Sequence, residues 1–226
     1  MNRLLLISFL AIFLFSCDRE IEDPIPLGFE YQPLEVGLFW VYEVNQTIYF
    51  GENDFESESF FYRDEVRTFF LNEERESVFV VDRFKSIDQS NWVRESSFTR
   101  HIKDFSFLEN RQNQISVNLV FPPSQGTSWD ANIYTNQAKD DFEYVSSISF
   151  EQGERSEADL LRVLQNEDDD EITFRDNRYE IYARDIGLVE KYFEVVTYCS
   201  RNDCLGDQLI DSGKISFMKL VDYGRE

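Results

Sequence analysis

The chain has one histidine, His101, and only three cysteines among its 226 residues. Ser-His-acid catalysis would therefore have to run through His101, and no Gly-x-Ser-x-Gly elbow accompanies it. His101 stands in the charged, strand-like stretch Thr99-Arg100-His101-Ile102-Lys103, which predicts an exposed surface side chain. A zinc site needs four protein ligands, or three and a water, and one histidine leaves that set to be filled by carboxylates. The nine glycines are scattered and none has the spacing of a phosphate-cradling loop, which excludes nucleotide chemistry. Positive charge is also scarce. Lys and Arg number 22 against 44 Asp and Glu, a formal charge of −22, so the surface repels phosphate backbones and nucleic acid is excluded as a partner. No apolar run reaches the roughly 20 residues a transmembrane helix requires.

One shorter apolar run is present, at residues 4–15, preceded by Arg3 and followed by Ser16-Cys17-Asp18-Arg19-Glu20. A positive start, an apolar stretch of about a dozen residues and a small residue at its end are the parts of a cleavable export signal. Leu14-Phe15-Ser16-Cys17 resembles the lipobox of bacterial lipoproteins, with Phe15 bulkier than the residue usual there. The resemblance implies a signal peptide over 1–16 and Cys17 as the lipidated first residue of the mature protein. An ordinary signal peptide with an incidental cysteine is the alternative.

Residues 17–32 carry Pro24, Pro26 and Gly28 among acidic side chains, and read as an extended, poorly ordered tether. The run Asp18-Arg19-Glu20-Ile21-Glu22-Asp23 resembles the signals that route Bacteroidota lipoproteins to the outer face of the outer membrane; a solvated spacer would be charged as well. The expected location is the outer membrane, on its periplasmic face or at the cell surface. Cys199 and Cys204 enclose Ser200-Arg201-Asn202-Asp203, and in an exported chain a disulfide is the default for such a pair.

Residues 33–226 have the composition of a folded β domain: 42% of the chain is hydrophobic and 16% aromatic. Strands are predicted at 38–50, where Trp40, Tyr42 and Val44 share a face, and at 60–71, 77–84 and 92–102. Residues 114–121 alternate most clearly, with Ile115, Val117, Leu119 and Phe121 on one face. Pro122-Pro123 ends that strand because neither nitrogen can donate to a ladder. Further strands are predicted at 142–150, 172–174, 179–183, 188–198 and 214–221. Residues 156–165 are ambiguous between a helix, with Ser156 and Asp159 as a weak capping box, and a strand with Leu161 and Val163 inward. Nowhere is there room for long helical crossovers, so the pairing is antiparallel. The expectation is one all-β domain: a large curved sheet, a sandwich or an open barrel.

Three landmarks recur in order: Pro33-Leu34-Glu35-Val36-Gly37-Leu38-Phe39-Trp40-Val41-Tyr42, then Gly126-Thr127-Ser128-Trp129, then Tyr182-Ala183-Arg184-Asp185-Ile186-Gly187-Leu188-Val189-Glu190-Lys191. Together they resemble a large group of uncharacterised Bacteroidota-type lipoproteins. That resemblance implies an antiparallel β domain on a lipid anchor and carries no catalytic residue. Physically, Gly187 suits a bulge or a positive φ, and Trp40, Trp129 and Tyr182 suit packing.

Glu167-Asp168-Asp169-Asp170-Glu171 lacks the alternating arrangement of a calcium loop and reads as a solvated loop. No cofactor, metal or catalytic residue is expected. Two functions remain open. One is a noncatalytic binding or assembly module for an envelope protein, a glycan or a lipid. The other is a hydrolase of envelope or extracellular polymer, using two carboxylates about 5 to 9.5 Å apart. The anchor is tested directly: Cys17→Ser should abolish lipid labelling and release the protein from the membrane fraction, and unchanged fractionation with labelling intact would refute it.

Overall fold

The computed structural model of the chain describes residues 26–51, 53–145 and 160–226. Twelve strands are present among them: β1 (Leu38–Gly51), β2 (Asp54–Leu71), β3 (Ser77–Ser86), β4 (Val93–Lys103), β5 (Ser106–Arg111), β6 (Gln114–Val120), β7 (Ser128–Asp130), β8 (Asp141–Val145), β9 (Leu160–Asp169), β10 (Phe174–Ala183), β11 (Gly187–Tyr198) and β12 (Ile210–Arg225). They form one sheet in the order β6-β5-β4-β3-β2-β1-β12-β11-β10-β9-β8-β7, and every neighbouring pair is antiparallel. Two meanders of six strands are thus joined through the first strand and the last, in register from Leu38↔Arg225 to Tyr49↔Gly213.

The sheet curls until its ends meet. The Val117 N–H of β6 donates to the carbonyl of Ala131, just past β7, at 2.9 Å. Trp129 Nε1 donates to the Val117 carbonyl at 2.8 Å, and the Tyr144 hydroxyl both accepts from Val120 N–H and donates to its carbonyl. The product is a nearly closed barrel, the all-β antiparallel domain that the alternating segments and the absence of crossovers called for.

Inward residues follow the pleat. Trp40, Tyr42 and Val44 of β1 lie opposite Asp64, Tyr62 and Phe60 of β2, and the core continues through Val81, Phe98, Phe107, Leu119, Tyr144, Val163, Tyr182 and Met218. One end is stoppered by a short 3-10 helix, Phe29–Tyr31. Tyr31 and Gln32 are buried there, and the Asp185 N–H donates to the Glu30 carbonyl. The last residues assigned to the tether therefore belong to the domain, because an aromatic ring and backbone hydrogen bonds seat them.

Several boundaries differ from the sequence reading, each for a physical reason. Strand β5 was not anticipated: Phe107, Leu108 and Glu109 are buried in succession, so it shows no alternation. Its flanking turns use Asp104-Phe105 and Gln112-Asn113, all at positive φ, where hairpins favour Asn-Gly or Asp-Gly. Strand β2 begins at Asp54 because its polar start is held across the ladder, Ser57 to Thr47 and Ser59 to Asn45. Segments 172–174 and 179–183 are largely one strand, β10, its charged middle bonded through Arg175–Asp169 and Arg178–Asp176. Residues 167–169 accordingly extend β9 and are not loop. The ambiguous segment is strand from Leu160 onward, with Val163 inward; residues 146–159 lie outside the described part.

Gly187 sits at φ +99 beside a bulge in which Tyr182 pairs with Leu188 after Ile181 pairs with Glu190. Gly213 is tighter. At φ +127, a Cβ there would collide with the Val195 carbonyl oxygen and lie 2.6 Å from Val196 Cα. Gly213→Ala should cost about 2–4 kcal/mol in urea unfolding, whereas Gly126→Ala, at φ +81 with nothing within 4 Å, should cost about 1–2 kcal/mol. Equal costs would show that strand crowding at Gly213 is unimportant.

Candidate functional site

The barrel holds a partly open cavity of about 240 Å³, walled by β1 to β6 on one side and β10 to β12 on the other. Its lining is mixed. Val44, Phe107, Leu188, Phe193 and Met218 give apolar surface, whereas Arg83, Arg100, Arg111, Lys191 and Lys214 bring five cations and Glu109 and Glu180 two carboxylates. Asp64, with no exposed surface, lies beneath Arg83 and Arg100.

Strand register produces this arrangement. Asp64 pairs with Arg83 across β2–β3, Arg100 with Glu109 across β4–β5, and Glu180 with Lys191 across β10–β11, so each ion pair is a directly opposed cross-strand pair. Arg83 grips Asp64 with two parallel bonds, Nε to Oδ1 at 2.6 Å and Nη2 to Oδ2 at 2.7 Å. The Arg100 Nη2 is 3.7 Å from the same carboxylate, and its Nε donates to Glu109 Oε2 at 2.8 Å. Arg111 donates to the other Glu109 oxygen. The ring of Phe98 has three guanidiniums near it, 3.4 Å from Arg111, 5.0 Å from Arg100 and 5.6 Å from Arg83, centroid to Cζ. On the opposite wall, Lys191 and the Tyr182 hydroxyl each donate to one oxygen of Glu180. Lys214 makes no ion pair among the described residues.

Burial would push Asp64 and Glu109 up, but the facing guanidiniums outweigh it and both carboxyls are held below their ordinary range, Asp64 by Arg83 and Arg100, Glu109 by Arg111 and Arg100. The Tyr62 hydroxyl is pushed up to about 12 by burial and Glu95. Burial and neighbouring Lys191 push the Lys214 ammonium down.

Of the residues singled out in the sequence, Tyr182 lines this cavity, with Leu188 and Lys191 of the same landmark, whereas the cysteine pair and His101 do not. Cys17 is outside the described residues. Cys199 and Cys204 are bridged, Cα to Cα 5.9 Å, in the loop between β11 and β12. His101 is not the exposed side chain its charged neighbours suggested. It points away from Arg100, is half-buried on β4 opposite Leu108, and its Nδ1 is buried with no hydrogen-bond partner in the described residues. Burial lowers its pKa. Asp170 caps its own turn, accepting from the N–H groups of Ile172, Thr173 and Phe174. Among the described residues no cluster of His, Cys, Asp and Glu is arranged to hold a metal ion.

The charged interior could have been found by one sequence signal. On each strand the charged residue sits two positions from a core residue, as Asp64 does from Val66, Arg83 from Val81, Arg100 from Phe98 and Glu109 from Phe107, so it shares the inward parity.

No protein-family model matches the chain, and no curated protein matches its sequence. Among solved structures, it is similar to a protein from Bacteroides fragilis described as exported with a YmcC-like fold. The TM-score is 0.43 at 10% identity, covering 85% of this chain and 98% of that one. It is also similar to a protein from Parabacteroides distasonis described as a lipoprotein, with a TM-score of 0.41 at 10% identity over 86% and 98% of the two chains.

Removing one partner of a buried ion pair strands the other. Asp64→Leu should therefore destabilise by about 3–5 kcal/mol at neutral pH, and adding Arg83→Met should recover most of that loss. The stability supplied by ionised Asp64 is complete above the unfolded carboxylate pKa of about 4 and is lost as pH falls through its lowered folded value. The gap between wild type and Asp64→Leu in denaturant titrations should narrow below about pH 4. A gap unchanged there would mean that Asp64 is not ionised in the fold.

Proposed function

We propose that the protein is a cell-envelope lipoprotein held on the outer membrane through Cys17, and that its barrel is a noncatalytic binding module with the interior cavity as its ligand site. The single observation that carries this reading is the cavity's composition: a partly open hollow lined by mixed apolar and cationic surface, its carboxylates all engaged by cross-strand partners. Convergent polar groups beside apolar surface in a hollow are what small-molecule sites are made of.

The same pairing weighs against the hydrolase alternative. A carboxylate pair that cleaves a glycosidic bond needs one member to hold a proton near neutral pH, which calls for a raised pKa. Glu109, clasped by Arg100 and Arg111, is shifted in the opposite direction. The export signal and lipobox support the envelope location, and the surplus of acidic residues outside the barrel suits a solvated domain on a tether.

The test is native mass spectrometry of the intact lipoprotein extracted from its own envelope. A non-covalent small molecule that is retained under native conditions and lost on denaturation is the expected result. An empty protein that cleaves envelope polysaccharide would overturn the binding reading in favour of hydrolysis.

A further inference from the structure

Within a chain of net charge −22, the cavity is the place where positive charge gathers. Its five cations face three carboxylates, counting Asp64, a formal excess of two. The excess is distributed unevenly. Three arginines share Asp64 and Glu109, which spreads one surplus charge over a rigid hydrogen-bonded cluster. Lys191 is neutralised by Glu180. Lys214 carries the other surplus charge: it is on the inner wall of β12, half-buried, with no ion pair among the described residues. The charges nearest it are Lys191 on β11, Lys85 on β3, Glu58 on β2 and Glu95 on β4, and Glu58 is already bonded to Lys85 at 3.0 Å. A half-buried ammonium with no carboxylate in direct contact is costly, and an anion placed against it in the cavity would relieve it. The rest of the wall carries no charge: Phe193, Phe107, Leu188 and Met218 are apolar, and Gln32, Gln46, Asn118 and Ser216 add neutral polar groups between them, which suits a body with no charge of its own.

Building on the binding reading above, we propose that the cavity takes a compact organic carboxylate: an acid group placed against Lys214, with an apolar body lying on the Phe193 and Met218 side. Lys214 supplies the selectivity for charge, because each of the three arginines already faces a protein carboxylate that offsets its charge, whereas Lys214 has no carboxylate in ion-pair contact among the described residues.

The test uses isosteres that differ only in charge: phenylacetate, phenylacetamide and phenethylammonium, with hexanoate as a straight-chain acid, each titrated calorimetrically into the full mature protein and into Lys214→Met. The expected result is that at least one carboxylate binds wild type at least tenfold more tightly than the amide. The ammonium should not bind. Lys214→Met should lose tenfold or more in carboxylate affinity with amide affinity unchanged. The variant should remain folded, since it removes an unpaired charge from a half-buried position, and its urea midpoint checks this. Amide binding equal to carboxylate binding, a Lys214→Met variant that still prefers the acid, or no binding by either acid would each overturn the proposal. These outcomes are distinct from the envelope-extract experiment, in which a retained neutral ligand would leave the binding module standing and remove only its preference for acids.

Discussion

The barrel exists because its first strand pairs with its last. Each six-stranded meander is a series of local hairpins, and the register between Leu38 and Arg225 is what turns two sheets into one. The seam is reinforced at its middle and at one end: Met218 lies opposite Val44, and the Glu226 N–H returns to the Gly37 carbonyl. Long-range strand pairing closes large loops before it gains contacts, so it forms late and slowly. The hairpins must hold by themselves until then. That requirement accounts for the density of cross-strand polar pairs on strand stretches with little apolar surface, such as Ser59 with Asn45 and Arg175 with Asp169 and Glu194.

The same cross-strand rule, applied on the inner face, makes the charged interior. A buried ion pair is no more stabilising than apolar residues of similar volume, so a core built only for stability would have Leu or Phe where Asp64, Arg83, Arg100 and Glu109 stand. Their geometry is nevertheless well satisfied: both oxygens of Asp64 and both of Glu109 accept from guanidiniums. Such a cluster fixes charged side chains of defined length along one wall of the hollow, from β2 to β5. Polar groups held by cross-strand partners are restrained from rotating away, which is the preorganisation that the proposed ligand site requires.

The general architecture was legible in the chain because period-two alternation survives wherever one face is buried and the other wet, as at Trp40-Val41-Tyr42-Glu43-Val44. It failed where that contrast disappears. Strand β5 buries neighbours on both faces, and β10 runs through Arg175-Asp176-Asn177-Arg178, which composition assigns to a loop and ion pairs hold in the sheet. The cavity was hidden for a related reason. Charged residues were counted as solvated by default, and only the register of a neighbouring strand, sometimes distant in sequence, reveals that Arg100 faces Glu109 and that Glu180 faces Lys191. His101 shows the converse error: charged neighbours say nothing about burial when adjacent residues point to opposite faces.

An acidic shell around a cationic hollow also separates two properties that usually travel together. The long-range field of a −22 chain repels anions, and beyond a Debye length of roughly 8 Å at physiological ionic strength it is screened. Inside the barrel the low-dielectric walls leave Lys214 and the arginine cluster poorly screened, so their attraction is short in range and strong. An acid approaching such a protein is therefore not steered in, and it gains its binding energy only after it has shed water and entered. This arrangement discriminates by what fits within the walls and not by what collects at the surface. On the proposed reading, the acidic exterior disfavours polyanions while the cavity offers a single small acid a place for its charge.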